Sequence, residues 1–252
     1  MIQIADSMRS LIGQMEKQLR RFDETGDHRA AFLRVYTHMS RRVLRRMEAP
    51  AFFLDPAWIE RVAIRFAQMY FDALHAFDQG RPTPPAWRLA FETAAGRRAF
   101  LLEDVVLGVN AHINSDLPQV LAAILREEGD WGHPGRMLRR RFDHDQINRI
   151  LAEIIQAVEG EVADHDGRLV RYLGWAMGRL DEILAALGLK RFRDDTWREA
   201  EFLLAADSEE ERAEVRHWVE QDALRAGQQV LRLGAPAWAR PAAGIARRLR
   251  LF

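Results

Sequence analysis

There is no cysteine anywhere in the 252 residues. Disulfide staples, thiolate-held metals and cysteine nucleophiles are therefore excluded, and any chemistry must come from the other side chains. Net charge is missing as well: 37 basic residues balance 37 acidic ones, which removes the basic field on which nucleic-acid binders depend and argues against a nucleic-acid partner. Lysine is scarce, with only Lys17 and Lys190, and the other basic residues are arginine. Coding bias explains this better than a functional arginine surface. No apolar run approaches the ~18–20 residues of a membrane span, and Met1-Ile-Gln-Ile-Ala-Asp-Ser-Met8 lacks the charged lead and apolar core of a signal peptide. A cytoplasmic protein is the expectation. The alternating apolar spacing of strands is absent too.

What is present is hydrophobic material, 48% of the chain, enough at this length for a substantial core. Its spacing is helical. Met8, Leu11, Met15, Leu19 and Phe22 recur at intervals of three and four, as one buried helix face requires. Thr25-Gly26-Asp27 breaks that helix. A second is expected over about 28–47, stopped at Ala49-Pro50; Asp55-Pro56 then supplies an N-cap and a first-turn proline for a third ending near Gly80. Pro82, Pro84 and Pro85 mark the clearest loop. After a short helix from Trp87, a signature helix is expected over residues 98–117, ended or kinked by Pro118. Asp143 and Gln146 have capping-box spacing and predict a helix starting there, and helices over about 167–187, 194–206 and 208–232 follow. The expected architecture is all-α: a single-domain helical bundle over residues 1–234 around a central, buried signature helix, with an arginine-rich tail over 235–252.

The signature helix carries Asn110, His112, Asn114 and Asp116 among Val105, Val106, Val109, Ile113 and Leu117. Burying such polar groups unpaired costs roughly 2–7 kcal/mol for each neutral one, so the segment implies an internal hydrogen-bond network or a ligand site. Projected at ~100° per residue, Asn110 and Asn114 share a stripe with Glu103, and His112 and Asp116 form a pair nearly opposite. The helix must have neighbours on both sides, and Gly108, Ala111 and Ser115 offer a stripe for close approach.

An imidazole with a carboxylate one turn away is the pairing of general acid–base catalysis, making His112 the candidate acid/base and Asp116 its orienting partner. The alternative is a core histidine satisfied by Asp116 or by backbone. His-x-x-x-Asp also presents two ligands to a divalent metal, with His38, Asp72, His75, Asp143 and His144 as candidates for the rest. Asn110, Asn114 and Asn148 are candidate substrate-binding amides, or ties between helices. Tyr70, among Trp58, Phe71, Trp87 and Phe91, is a candidate acid in the wall of an apolar pocket, the alternative being aromatic core.

Val35-Tyr36-Thr37, the stretch from Asp55-Pro-Ala-Trp58 to Phe66-Ala-Gln-Met-Tyr70-Phe71, Pro84-Pro-Ala-Trp87 to Phe91, and above all Leu107-Gly-Val-Asn-Ala-His-Ile-Asn-Ser-Asp-Leu-Pro118 resemble a bacterial family called domain of unknown function 5995. The resemblance spans about residues 27–206. It implies a helical fold, draws attention to the Asn-Ala-His-Ile-Asn-x-Asp-Leu-Pro segment, and carries no activity. The functional expectation therefore comes from the residues: a small molecule bound beside the signature helix, with proton transfer or hydrolysis by His112. The alternatives are a metal-dependent hydrolase using His112 and Asp116, and a non-catalytic interaction or scaffold protein whose polar cluster fixes helix register.

From Ala223 onward the chain has arginines and no acidic residue, and Ile245, Leu249, Leu251 and Phe252 alternate with Arg247, Arg248 and Arg250. Such a tail attaches to anionic lipid or a partner protein, or is simply solvated. Pro236, Pro241 and Gly244 interrupt it as a helix, which favours the solvated reading. Deleting residues 235–252 is expected to leave co-sedimentation with anionic liposomes unchanged; its loss on deletion would identify the tail as a membrane anchor.

Overall fold

The computed structural model describes residues 7–96, 101–159 and 189–233. Every regular element in them is helical, so the chain is all-α. In order these are α1 (Met8–Thr25), α2 (Ala30–Met47), α3 (Pro56–Asp78), α4 (Pro85–Ala95), α5 (Leu101–Asn110), a π-helical turn (Ala111–Asp116), α6 (Leu117–Glu127), α7 (Pro134–Glu159), α8 (Leu189–Ala205) and α9 (Glu209–Leu233). The helix expected over 167–187, the first residues of the expected signature helix and the tail over 235–252 lie outside the described residues. Among the described residues no helix is long and apolar enough to cross a membrane.

The early helix ends follow the local chemistry. Ser7 caps α1 by accepting the Ser10 N–H (3.2 Å). Gly26 ends it at φ 63°, where the N–H groups of Gly26 and Asp27 turn back onto the carbonyls of Asp23 and Phe22. Asp55 accepts the Trp58 N–H (3.0 Å) with Pro56 in the first position of α3.

The start of α7 departs from the capping-box expectation. The helix begins at Pro134, a residue suited to a first turn, and Asp143 lies in its interior. Rather than capping α7, the fully buried Asp143 carboxylate accepts the backbone N–H groups of Leu54 (2.6 Å) and Asp55 (2.8 Å). One turn earlier, the Arg140 guanidinium pairs with Asp55, Glu128 and Asp130 and lies over the Trp58 ring. These two residues fix where α3 enters the bundle, and α3 supplies much of the wall of the cavity described below.

The signature segment also differs from a plain helix. Leu117 donates its N–H to the His112 carbonyl, a bond spanning five residues. Pro118 accounts for the widening: it has no N–H for the Asn114 carbonyl, and its ring crowds that carbonyl in an α-helical register. A wider turn relieves the crowding, and the chain runs through Pro118 into α6 instead of stopping there. The central position expected from its polar faces is observed, since α5 and the π turn together pack against α2, α3, α4, α6, α8 and α9.

The closest approach is at Gly108, where a Cβ would stand 2.5 Å from Cγ of Phe32. Only a missing side chain lets the α2 ring rest on the α5 backbone. Gly108→Ala is therefore expected to cost about 1–3 kcal/mol in urea unfolding, the range for overpacking a filled site; unchanged stability would contradict this packing.

Candidate functional site

The π turn keeps His112 and Asp116 on one side of the helix, with imidazole Nδ1 3.2 Å from carboxyl Oδ2. Trp87, brought in by α4, donates its indole N–H to the same Oδ2 at 2.8 Å. Accepting the indole N–H suits Oδ2 to be the carbonyl oxygen of the carboxyl group, with any acid proton on Oδ1, and this assigns the imidazole proton to Nδ1. Nε2 is left with a bare lone pair.

Burial sets the charge state of this pair. His112 is 3% exposed and Asp116 1%. Loss of hydration pushes the imidazole pKa well below 6.5. The same loss pushes the Asp116 carboxyl well above its ordinary range, opposed by the Trp87 hydrogen bond and reinforced by the negative charge of Glu220. Both shifts favour the neutral forms. Phe66 lies flat on the imidazole, ring centroids 3.4 Å apart and planes 5° from parallel, and Tyr36 meets it edge-on at 4.5 Å.

His112 Nε2 is buried with no hydrogen-bond partner, and His112 borders a cavity of about 170 Å³ between α2, α3, the π turn and α7. Its wall is mostly aliphatic and aromatic, with Val43, Ile59, Val62, Phe66 and Ile113 among its members. The polar groups on it come from His112, His144, Tyr36, Ser40 and Trp58; the Ser40 hydroxyl donates to the Tyr36 carbonyl (2.9 Å), and the Trp58 indole N–H is buried with no hydrogen-bond partner. No Asp, Glu, Lys or Arg lines the cavity among the described residues.

The other candidate residues lie elsewhere. Asn114 donates its amide N–H to Asn110 Oδ1 (2.9 Å), and Asn110 donates to the Ala223 carbonyl of α9 (2.8 Å). The two amides thus tie α9 to the central helix and do not border the cavity. Asn148, one turn beyond His144 on α7, is also off the wall, and its Oδ1 is buried without a partner. Tyr70 packs against Phe32 and Trp87. Its hydroxyl has no partner and borders a separate space of about 10 Å³. Burial raises its pKa, so it holds its proton.

That small space is shared with Asp104, a group the sequence reading passed over. Its Oδ2 meets His28 Nδ1 at 3.2 Å and its Oδ1 has no partner. Burial, with Glu103 and Asp27 adding to it, pushes its carboxyl up to about 8. A signal existed, because Asp104 stands one turn before Gly108 on the close-packing stripe. Trp87 as the donor to Asp116, and Phe66, Tyr36 and Ser40 as cavity wall, were likewise not anticipated. The candidate metal ligands do not converge: Asp143 is spent on backbone N–H groups, and Asp72 accepts from Gln68 on the surface. Among the described residues no group of three or more His, Asp or Glu side chains comes together.

A family described as a family of unknown function (DUF5995) matches the chain over residues 8–233. No curated protein and no solved structure matches it.

The paired shifts predict a specific pH dependence. Below pH 6.5 the unfolded chain protonates His112 while the buried imidazole does not, so stability is lost as pH falls. Above pH 3.8 the unfolded chain deprotonates Asp116 while the buried carboxyl does not, so stability is lost as pH rises. Between these values the two slopes oppose each other. Asp116→Asn keeps an acceptor for Trp87 and His112 but removes the second slope. Relative to the unmodified protein, the variant should lose up to about 1.4 kcal/mol per pH unit as pH drops from about 6.5 to about 4.5 in urea unfolding. A difference that stays constant with pH would show that the pair is not held neutral.

Proposed function

We propose, for a chain that belongs to the DUF5995 family, that it binds a small and largely apolar molecule in the cavity beside the π turn, with His112 Nε2 as the polar anchor. The single observation behind this reading is a buried acceptor without a partner on the wall of an apolar space of about 170 Å³. An unmet buried acceptor costs about 1–3 kcal/mol, which a ligand's donor recovers. An apolar cavity of ~150 Å³ is enough for a benzene-sized guest.

Proton transfer or hydrolysis by His112, oriented by Asp116, is the second reading, and the contact between the two residues favours it. It requires Nε2 to take up a proton during the reaction, and burial weakens that nitrogen as a base. Binding therefore ranks ahead of turnover. A scaffold role is supported for the other half of the polar cluster, where Asn110 and Asn114 hold α9 in register.

Ala63 sits half-buried on the cavity wall, and Ala63→Leu would occupy the space. Toluene at about ten times its Kd is expected to raise the Tm of the unmodified protein by about 2–4 °C and to leave Ala63→Leu unshifted. An equal shift in both would place the toluene elsewhere and contradict the proposal.

A further inference from the structure

We infer that the cavity selects a neutral hydroxyl donor on a single ring, a phenol or a cyclic alcohol, over an acid, an amine, a carbonyl compound or a hydrocarbon. This rests on the binding reading above and names the class of ligand for that site. Size is the first constraint. About 170 Å³ is close to the ~150 Å³ that accommodates benzene, so one ring with a small substituent fills it.

Charge is the second. With no Asp, Glu, Lys or Arg on the wall among the described residues, a carboxylate or an ammonium would shed its hydration and meet no counter-charge. Hydrogen-bond polarity is the third constraint and the most selective. At His112 the imidazole N–H is used on Asp116, whose oxygen is also used by Trp87, so this side chain offers the cavity an acceptor and no donor. The Ser40 proton is committed to the Tyr36 carbonyl. A ligand hydroxyl satisfies Nε2 as donor and keeps lone pairs for the Trp58 indole N–H, a buried donor without a partner on the same wall. A carbonyl oxygen can accept from Trp58 but leaves Nε2 unmet, and facing Nε2 it sets lone pair against lone pair. Shape is the fourth: the flat stack of Phe66 on the imidazole and the edge of Tyr36 make planar surfaces suited to a ring.

Four probes of similar size separate these constraints: phenol, benzaldehyde as a neutral ring of comparable polarity that only accepts, benzoate, and toluene. Calorimetric titration of the full chain should give measurable toluene binding, phenol at least about tenfold tighter than benzaldehyde, and benzoate weakest. His112→Leu should erase the phenol preference and retain toluene binding; if that variant does not fold, the ranking in the unmodified protein decides alone. Benzaldehyde binding as tightly as phenol overturns the donor assignment while toluene binding leaves the cavity reading intact. Benzoate binding more tightly than phenol overturns the requirement for a neutral ligand. No binding of any probe, toluene included, overturns the cavity reading and this inference with it.

Discussion

One carboxyl oxygen, Oδ2 of Asp116, receives the indole N–H of Trp87 and the imidazole N–H of His112, and the site depends on that convergence. It takes one donor from α4 and one from the π turn, so it requires α4 to be seated against the central helix. It sets which imidazole nitrogen carries the proton, and so which one faces the cavity as an acceptor. Because Asp116, His112 and Trp87 are all buried, the contact operates where hydration cannot compete and where charge is costly. The π turn belongs to the same arrangement: Pro118 prevents a regular α-register one turn downstream of Asn114, and the wider turn carries His112 and Asp116 as a pair.

The polar residues of the central helix divide into two sets with different work. Asn110 and Asn114 point to α9 and end on a backbone carbonyl more than a hundred residues away in sequence. Each such bond contributes about 0.5–1.5 kcal/mol net, but losing a partner strands a buried amide at greater cost. They therefore act on register. Gly227 belongs with them, since a Cβ there would stand 3.2 Å from the Asn110 amide nitrogen. His112 and Asp116 form the other set, and their pairing ends with a free acceptor on a cavity wall. A folding device and a binding device share one helix.

Much of this was legible in the sequence, for physical reasons that can be named. The apolar period of α1, the αL glycine after it and the Asp-Pro start of α3 are local signals, and local energetics decide them. The two-sidedness of the signature helix followed from angular projection alone, because a buried polar stripe on each side needs a neighbour on each side. What failed depended on tertiary context. Asp143 has the spacing of a capping box yet serves two amides from another part of the chain; a spacing rule cannot tell an N-cap from an interior acceptor. Tyr70 shares an aromatic run with residues near His112 but faces a different void. The cavity itself left no trace in the sequence, since a volume is where side chains from α2, α3, the π turn and α7 fail to meet.

The central claim is that His112 is a neutral hydrogen-bond acceptor with its proton on Nδ1. The most direct test is ¹⁵N NMR of the imidazole in uniformly labelled protein, with His112→Gln used to assign the signals. The account predicts a protonated Nδ1 and a bare Nε2 that do not change between about pH 5 and pH 8. An imidazole that titrates near its ordinary value, or one that carries its proton on Nε2, would contradict it.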